Sequence, residues 1–133
     1  MAETKYGKNI FQPTYKPWPH GQLMEMSGEE HGLPISIVLT AHDEPCVPEK
    51  QAMVHDFDQI LWFVGSNPMN IRDFGAEIEY TFGEEGEKHI ISTSSVVYTP
   101  KGTVHCPLTY KRVDKPFWVV DVRLTPSYKK NLV

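Results

Sequence analysis

The sequence has few cysteines and no long apolar run, and each absence excludes a class of protein. Cysteine occurs only at Cys46 and Cys106 in 133 residues, too few for a disulfide framework, so both are predicted to be reduced thiols. No stretch reaches the length needed to span a bilayer, and the beginning, MAETKYGKNIFQPTYKPWPHG, lacks the apolar core of a signal peptide. We therefore expect a cytoplasmic protein that has no membrane partner.

Positive charge is also scarce. The chain carries 13 Lys and Arg against 17 Asp and Glu, a formal charge of −4, and no basic block. Nucleic acid is therefore not expected as a partner. The sequence also lacks a G-x-S-x-G elbow, a glycine-rich phosphate loop, a CxxC pair and an HExxH motif, which excludes the chemistries those motifs support.

Short strand-like runs recur along the chain. Eleven prolines and nine glycines interrupt the sequence, and almost no pattern of period 3.6 survives for ten residues between them, so helix is expected to be scarce. Runs rich in β-branched and aromatic residues recur between these turn signals, which is typical of an all-β sandwich or barrel. They cover residues 34 to 42, 59 to 65, 76 to 83, 88 to 94, 95 to 100, 103 to 110 and 116 to 124.

The length is that of one domain. We assign residues 1 to 19 to an extended N-terminal arm, residues 20 to 126 to the barrel and residues 127 to 133 to a short tail that frays. The arm contains four aromatic residues without strand alternation, so it is expected to lie across its own barrel or to cover a sheet edge of a partner subunit. This favours a homodimer. The four residues are Tyr6, Phe11, Tyr15 and Trp18.

The run QAMVHDFDQILWFVG, residues 51 to 65, carries polar residues on an otherwise apolar strand face. The period-2 rule places His55 and Gln59 on one face, together with Met53, Leu61 and Phe63. Asp56, Asp58 and Trp62 have the opposite parity, and Trp62 is expected to pack between sheets.

A second histidine lies about fifty residues downstream, in YTPKGTVHCPL. Pro100 and Gly102 predict a turn, after which His105 begins a strand on the same parity as Pro107 and Thr109. Cys106 then points to the other face, as a buried structural thiol. His55 and His105 can converge only inside a closed or sandwiched sheet.

These two segments resemble the two motifs of the cupin superfamily of small jelly-roll barrels. The first motif, G-x5-H-x-H-x3–4-E-x6-G, is matched by His55, by Gln59 at the glutamate position and, one residue early, by Gly65. The second motif, G-x5-P-x-G-x2-H-x3-N, is matched at Pro100, Gly102 and His105. The resemblance covers about residues 34 to 124 and implies a cupin-type jelly-roll β-barrel.

Departures from the two motifs change what the resemblance implies. Met53 replaces the first histidine, Ser94 the first glycine of the second motif, and Thr109 its asparagine. The resemblance still implies a divalent transition metal (Mn, Fe, Ni, Co, Cu or Zn), here held by His55, Gln59 and His105. Gln59 brings an amide oxygen without negative charge, so the ion would be held less tightly than by three histidines and a carboxylate.

The resemblance implies a metal-dependent isomerase, lyase, decarboxylase or dioxygenase that acts on a small carbonyl- or carboxylate-bearing, possibly aromatic, molecule. Met53, Leu61 and Phe63 would form the apolar pocket wall. The alternative is a non-catalytic small-molecule binding or sensing cupin without metal, in which His55 and His105 serve as hydrogen-bonded groups. The other histidines, His20, His31, His42 and His89, are expected at solvent-exposed positions.

Overall fold

The computed structural model describes residues 4 to 19 and 21 to 133, and these are almost entirely β structure. Helix is confined to one 3-10 turn, Gly7–Asn9, and one α-helical turn, α1, at Gly28–His31. The strands are β1 (Thr14–Trp18), β2 (Gly21–Met26), β3 (Ser36–His42), β4 (Cys46–Glu49), β5 (Met53–Val54), β6 (Gln59–Gly65), β7 (Asp73–Phe82), β8 (Glu87–Thr93), β9 (Ser95–Thr99), β10 (His105–Val113), β11 (Phe117–Arg123) and β12 (Asn131–Leu132).

The strands form two antiparallel sheets. The first sheet has the order β1-β2-β3-β11-β6-β9, and the second has the order β12-β5-β10-β7-β8, with β4 also paired to β10. No ladder closes the two sheets into a continuous barrel among the described strands. The all-β jelly-roll architecture predicted from the sequence is confirmed.

Strand alternation determines which face of each sheet lies inside. On β7, Ala76, Ile78 and Tyr80 are buried, while Glu79 faces outward and forms ion pairs with Lys88 at 3.8 Å and Lys111 at 3.2 Å. The same alternation on β6 turns Trp62 outward, where 48% of the residue is exposed. The expectation that Trp62 packs between sheets is therefore wrong, because no described element covers the outer face of β6.

The core fills one end of the space between the sheets with aromatic rings. Phe63 of the first sheet meets Phe74 of the second, with ring centroids 6.3 Å apart, and Phe117 lies 4.8 Å from Phe74. All three are 0 or 1% exposed. The interior at the other end of the sheets is less completely filled and contains the polar residues described below.

The described parts of the predicted arm and tail both pair with the sheets. Within the predicted arm, β1 pairs with β2, and β2 pairs with β3 at the edge of the first sheet. Within the predicted tail, β12 pairs with β5. The tail is therefore held against the second sheet and does not fray as expected. Residues 1 to 3 and His20 lie outside the described residues, and the domain boundaries stay a prediction. Among the described residues, no helix is both long and apolar enough to cross a membrane.

Candidate functional site

The segment from Met53 to Phe63 crosses from one sheet to the other with its predicted face inward. β5 belongs to the second sheet and β6 to the first, so residues 55 to 58 form the crossover. His55 and Gln59 are 3% and 5% exposed, and Met53, Leu61 and Phe63 are also buried. The parity predicted for this segment is thus confirmed across the crossover.

The parity predicted for β10 is wrong after its first residue. His105 pairs with Phe82, but Leu108 pairs with Tyr80, so β10 carries one extra residue in this interval. Such a bulge reverses the facing of the residues that follow it. Cys106, at φ 76°, is therefore buried on the cavity side with His105, whereas Pro107 is exposed.

The structure brings His55 and His105 together. Their ring centroids are 4.8 Å apart. Two imidazoles that bind one ion through Nε2 at about 2.1 Å have ring centroids roughly 4.5 to 5.5 Å apart, so the observed separation is compatible with shared coordination.

Hydrogen bonds to backbone carbonyls define the tautomer of both rings. His55 donates from Nδ1 to the carbonyl oxygen of Lys129 at 2.8 Å, and His105 donates from Nδ1 to that of Thr103 at 3.0 Å. A carbonyl can only accept, so in each neutral ring the lone pair resides on Nε2. The Nε2 atom of His55 is buried and has no hydrogen-bond partner among the described residues. Both rings therefore have the tautomer that a metal ligand or a hydrogen-bond acceptor requires.

Burial keeps both imidazoles neutral. It is the largest influence on His55 and lowers the pKa of that residue, together with His105 and Arg123, against the opposing effects of the hydrogen bond to Lys129 and of Asp121. Burial also lowers the pKa of His105, against the smaller opposing effects of its bond to Thr103 and of nearby carboxylates. Neutral imidazole is the form that binds metal ions.

Gln59 is oriented by a charged neighbour that sequence reasoning missed. Its amide nitrogen donates to Oδ1 of Asp121 at 2.9 Å, while Oδ2 of Asp121 accepts from both Nε and Nη2 of Arg123, at 3.0 and 2.8 Å. An ionised carboxylate only accepts hydrogen bonds, so the amide nitrogen of Gln59 must be the atom that faces Asp121. The amide oxygen of Gln59 therefore points away from Asp121. Asp121 thus fixes the orientation of the one neutral oxygen donor predicted for the site.

The C-terminal segment covers the histidine end of the cavity. The ring of Tyr128 lies 5.2 Å from that of His55, and the guanidinium of Arg123 lies 3.9 Å from the centre of the Tyr128 ring, within cation–π range. Burial raises the pKa of Tyr128 to about 12, so its phenol remains a hydrogen-bond donor at neutral pH. The carbonyl that holds His55 belongs to the next residue, so this segment both covers and orients the site.

These groups line a partly open cavity of about 180 Å³, smaller than the several hundred Å³ of drug-sized pockets. Met53 and Leu61 line it, as predicted for the pocket wall. Phe63 lies instead in the filled core against Phe74. The far end of the cavity is aromatic, with Trp18 contacting His42 edge-on at 6.0 Å.

His42 corrects one expectation. It is 2% exposed, within hydrogen-bond distance of Thr40 at 2.7 Å and stacked on Phe117 at 5.2 Å, so it lies inside the sheets instead of at a wet strand end. His31 and His89 are exposed, as expected, and His20 lies outside the described residues.

Some of the missed residues had a sequence signal and others had none. Asp121 and Arg123 share the parity of Phe117 and Val119 in the run PFWVVDVRL, so two charges on a buried strand face could have been noticed. Tyr128 lies in TPSYKKNLV, where no periodicity predicts that its ring folds back over a strand.

The donors gathered here limit the kind of metal site that can form. In the described part of the chain, no three His, Cys, Asp or Glu residues come together as a metal-binding group. The available set is two imidazole nitrogens and the amide oxygen of Gln59, because Asp121 is engaged by Gln59 and Arg123 and Glu49 is paired with Lys130. Such a set fits a divalent ion only weakly, with further coordination positions left to water or a ligand.

Known structures resemble this chain across most of its length. Three structures of Bacillus subtilis oxalate decarboxylase superpose with TM-scores of 0.62, 0.61 and 0.61, at 13, 12 and 10% sequence identity. The matches cover 92% of this chain in each case, and 32, 31 and 30% of the decarboxylase chains. The fold is cupin-like.

The likeness extends to the fold alone. No protein-family model matches the sequence, and no curated protein does. This chain spans about a third of the length of the cupin-fold decarboxylases it matches. Residues 55, 59 and 105 therefore have to be judged from their own geometry.

Proposed function

We propose that this cupin-like domain binds a small carbonyl- or carboxylate-bearing molecule beside a weakly held divalent transition metal, with His55, His105 and Gln59 as the protein ligands. The observation that carries the proposal is the pair of buried imidazoles whose Nδ1 atoms are held by backbone carbonyls. Both Nε2 lone pairs are thereby left for one cavity, and that of His55 has no described partner.

Each residue has a defined part. His55 and His105 supply neutral nitrogen donors, and Gln59 supplies its amide oxygen because Asp121 holds the amide nitrogen. The phenol of Tyr128 and the guanidinium of Arg123 supply hydrogen-bond donors at the same end of the cavity. A carbonyl or carboxylate oxygen fits this arrangement, since several donors converge there and the two carboxylates that line the cavity, Asp121 and Glu49, are paired with Arg123 and Lys130.

The rest of the cavity favours a small ligand with an apolar body. Leu61, Val119 and Leu108 contribute its apolar lining, and the 180 Å³ volume favours a ligand of only a few atoms beyond its polar head. When bound, the metal would act as a Lewis acid on the ligand's oxygen. Oxalate decarboxylase, which shares the fold, has Mn(II) centres, and this supports a transition metal by analogy. The reaction class and a cytoplasmic location remain predictions.

Metal analysis tests the proposal. Protein purified without chelator should contain Mn, Fe, Co, Ni, Cu or Zn, and chelator-treated protein should bind one equivalent of zinc or manganese in a calorimetric titration. His105→Ala should abolish that binding, while His89→Ala, which removes an exposed histidine on β8, should leave it unchanged. If the wild-type protein binds no metal yet still binds small carboxylates, the pocket is a metal-free binding or sensing site.

A further inference from the structure

The outer face of the first sheet carries no charge. Strand register places sixteen side chains of β1, β2, β3, β11, β6 and β9 on the side away from the cavity, and none of them is Asp, Glu, Lys, Arg or His. Gln22 is the single amide, and the others are aliphatic, aromatic, proline or alanine. We call this surface the charge-free face.

The charge-free face is exposed in the single chain. Six of its large apolar side chains are between 39 and 62% exposed, although the described arm is present, and several others are half-buried. The described part of the arm does not cover it, since Phe11 stacks instead on His31 at 4.0 Å. The most exposed members are Tyr15, Met24, Trp62, Val96, Tyr98 and Trp118.

The outer face of the second sheet is the internal comparison. There Glu79 pairs with Lys88 and Lys111, and Glu77 lies 3.9 Å from Arg112. An antiparallel sheet with a wet outer face has polar residues at such positions. The second sheet follows this rule and the first sheet departs from it, which indicates that the first sheet is covered in the functional molecule.

We propose that the charge-free face is the interface of a homodimer, in which two copies pack their first sheets against each other. A twofold dimer brings the same surface of both copies together, so an apolar face meets an equally apolar one. A partner with charged groups would instead have to bury them here without counter-charges. Two sheets packed face to face at about 10 Å form a layer like the interior of a β-sandwich.

The size of the face suits this role. Its four exposed aromatic side chains alone present roughly 400 to 500 Å² of accessible surface, close to the largest apolar patch of an ordinary monomer. The smaller apolar residues between them bring the area towards the roughly 800 Å² per partner of a standard interface. A lipid surface suits the face less well, because it has no Lys or Arg to meet headgroups and the chain has a net charge of −4.

Sedimentation of the full chain tests the interface. The wild-type protein should sediment as a species of twice 15.2 kDa at micromolar concentrations. Trp62→Glu places a charge on the face between Val120 and Val96 and should raise the dissociation constant at least about 30-fold, the loss expected for an interface hot spot. Ile90→Glu is the matched control, because Ile90 is 53% exposed on the outer face of the second sheet, and this variant should remain dimeric.

Each other outcome counts against the proposal. A wild-type monomer at 100 µM would overturn it, as would a Trp62→Glu variant that stays dimeric or an Ile90→Glu variant that dissociates. A monomeric wild type that co-sediments with phosphatidylglycerol vesicles would assign the face to lipid. Circular dichroism establishes that the variants are folded, and Trp118→Glu replaces Trp62→Glu if the latter does not fold. Metal binding is measured separately, so either proposal can fail alone.

Discussion

At the scale of single residues, two aspartate–arginine pairs, each two positions apart in the sequence, show how burial changes the contribution of an ion pair to stability. Asp121 and Arg123 are 2.8 Å apart with side chains 16 and 15% exposed, whereas Asp114 and Arg112 are 3.0 Å apart with side chains 57 and 56% exposed. Water screens the second pair, but the first must satisfy its charges within the protein.

Removal of the buried carboxylate should therefore cost more than removal of the exposed one. Asp121→Ala leaves Arg123 without its ion-pair partner and Gln59 without its acceptor, so the free energy of unfolding should fall by about 1 to 3 kcal/mol. Asp114→Ala should change it by less than about 0.5 kcal/mol. Urea denaturation measures both variants, and equal losses would contradict the role assigned to Asp121.

Met53 occupies the position of the first histidine in the motif that the sequence resembles, and it lies opposite His105 across the β5–β10 pair. Met53→His with Gln59→Glu should add an imidazole and a carboxylate to the site. Each donor should raise the affinity for zinc or manganese by more than the tenfold that about 1.4 kcal/mol represents. Competition with a chromophoric chelator measures the gain, and His105→Ala in the same background should remove most of it. An unchanged affinity would mean that residue 53 does not reach the ion.

The two buried imidazoles also make the metal-free protein sensitive to acid. Burial lowers both pKa values in the folded state, so below the ordinary histidine value of about 6.5 the unfolded chain binds more protons than the folded one. Stability should be fully present above pH 6.5 and decline as the pH falls through the lowered values. Melting temperatures of chelator-treated protein between pH 7.5 and 5 test this. A His55→Gln, His105→Gln double variant should show a shallower decline.

At the scale of strands, most of the central strands could be predicted from the sequence. The facing of residues could not be predicted where it depends on pairing with a neighbouring strand. Alternation from Met53 to Phe63 held through a crossover between sheets. It failed on β10 because the extra residue at the bulge is defined only by pairing with β7. β1 was missed because Pro17 interrupts its pattern, and β2 was missed because its apolar residues do not alternate strictly with polar ones, although β2 pairs with β3 over four positions. The approach of His55 and His105 was predictable, but the C-terminal contact that orients His55 was not.

The first strand connects the predicted arm to the cavity. β1 forms the outer edge of the first sheet, and its last residue, Trp18, lines the cavity beside His42. Removal of residues 1 to 19 should therefore lower the melting temperature by at least about 5 °C, through loss of ladder bonds and a partly buried ring. Removal of residues 1 to 10 keeps β1 and is the control. Equal melting temperatures for all three proteins would show that β1 contributes nothing to stability.

At the scale of the whole molecule, the two sheets depend on side chains to hold them together. No ladder among the described strands joins the sheets, so packing at the aromatic core and contacts around the cavity connect them. The proposed ligands come from both: Gln59 lies on β6 of the first sheet and His105 on β10 of the second. An ion between them would link the sheets at the end that the core does not fill.

Metal binding should consequently stabilise the fold as a whole. At one hundred times its dissociation constant, an ion that binds only the folded state adds about 2.7 kcal/mol, so the melting temperature of chelator-treated protein should rise by roughly 5 to 10 °C on addition of zinc. Amide exchange should slow on β6 and β10 together, because both strands carry ligands. His105→Ala should remove both effects and His89→Ala neither. Slower exchange on only one of the two strands would mean that the ion is held by one sheet and does not link the two.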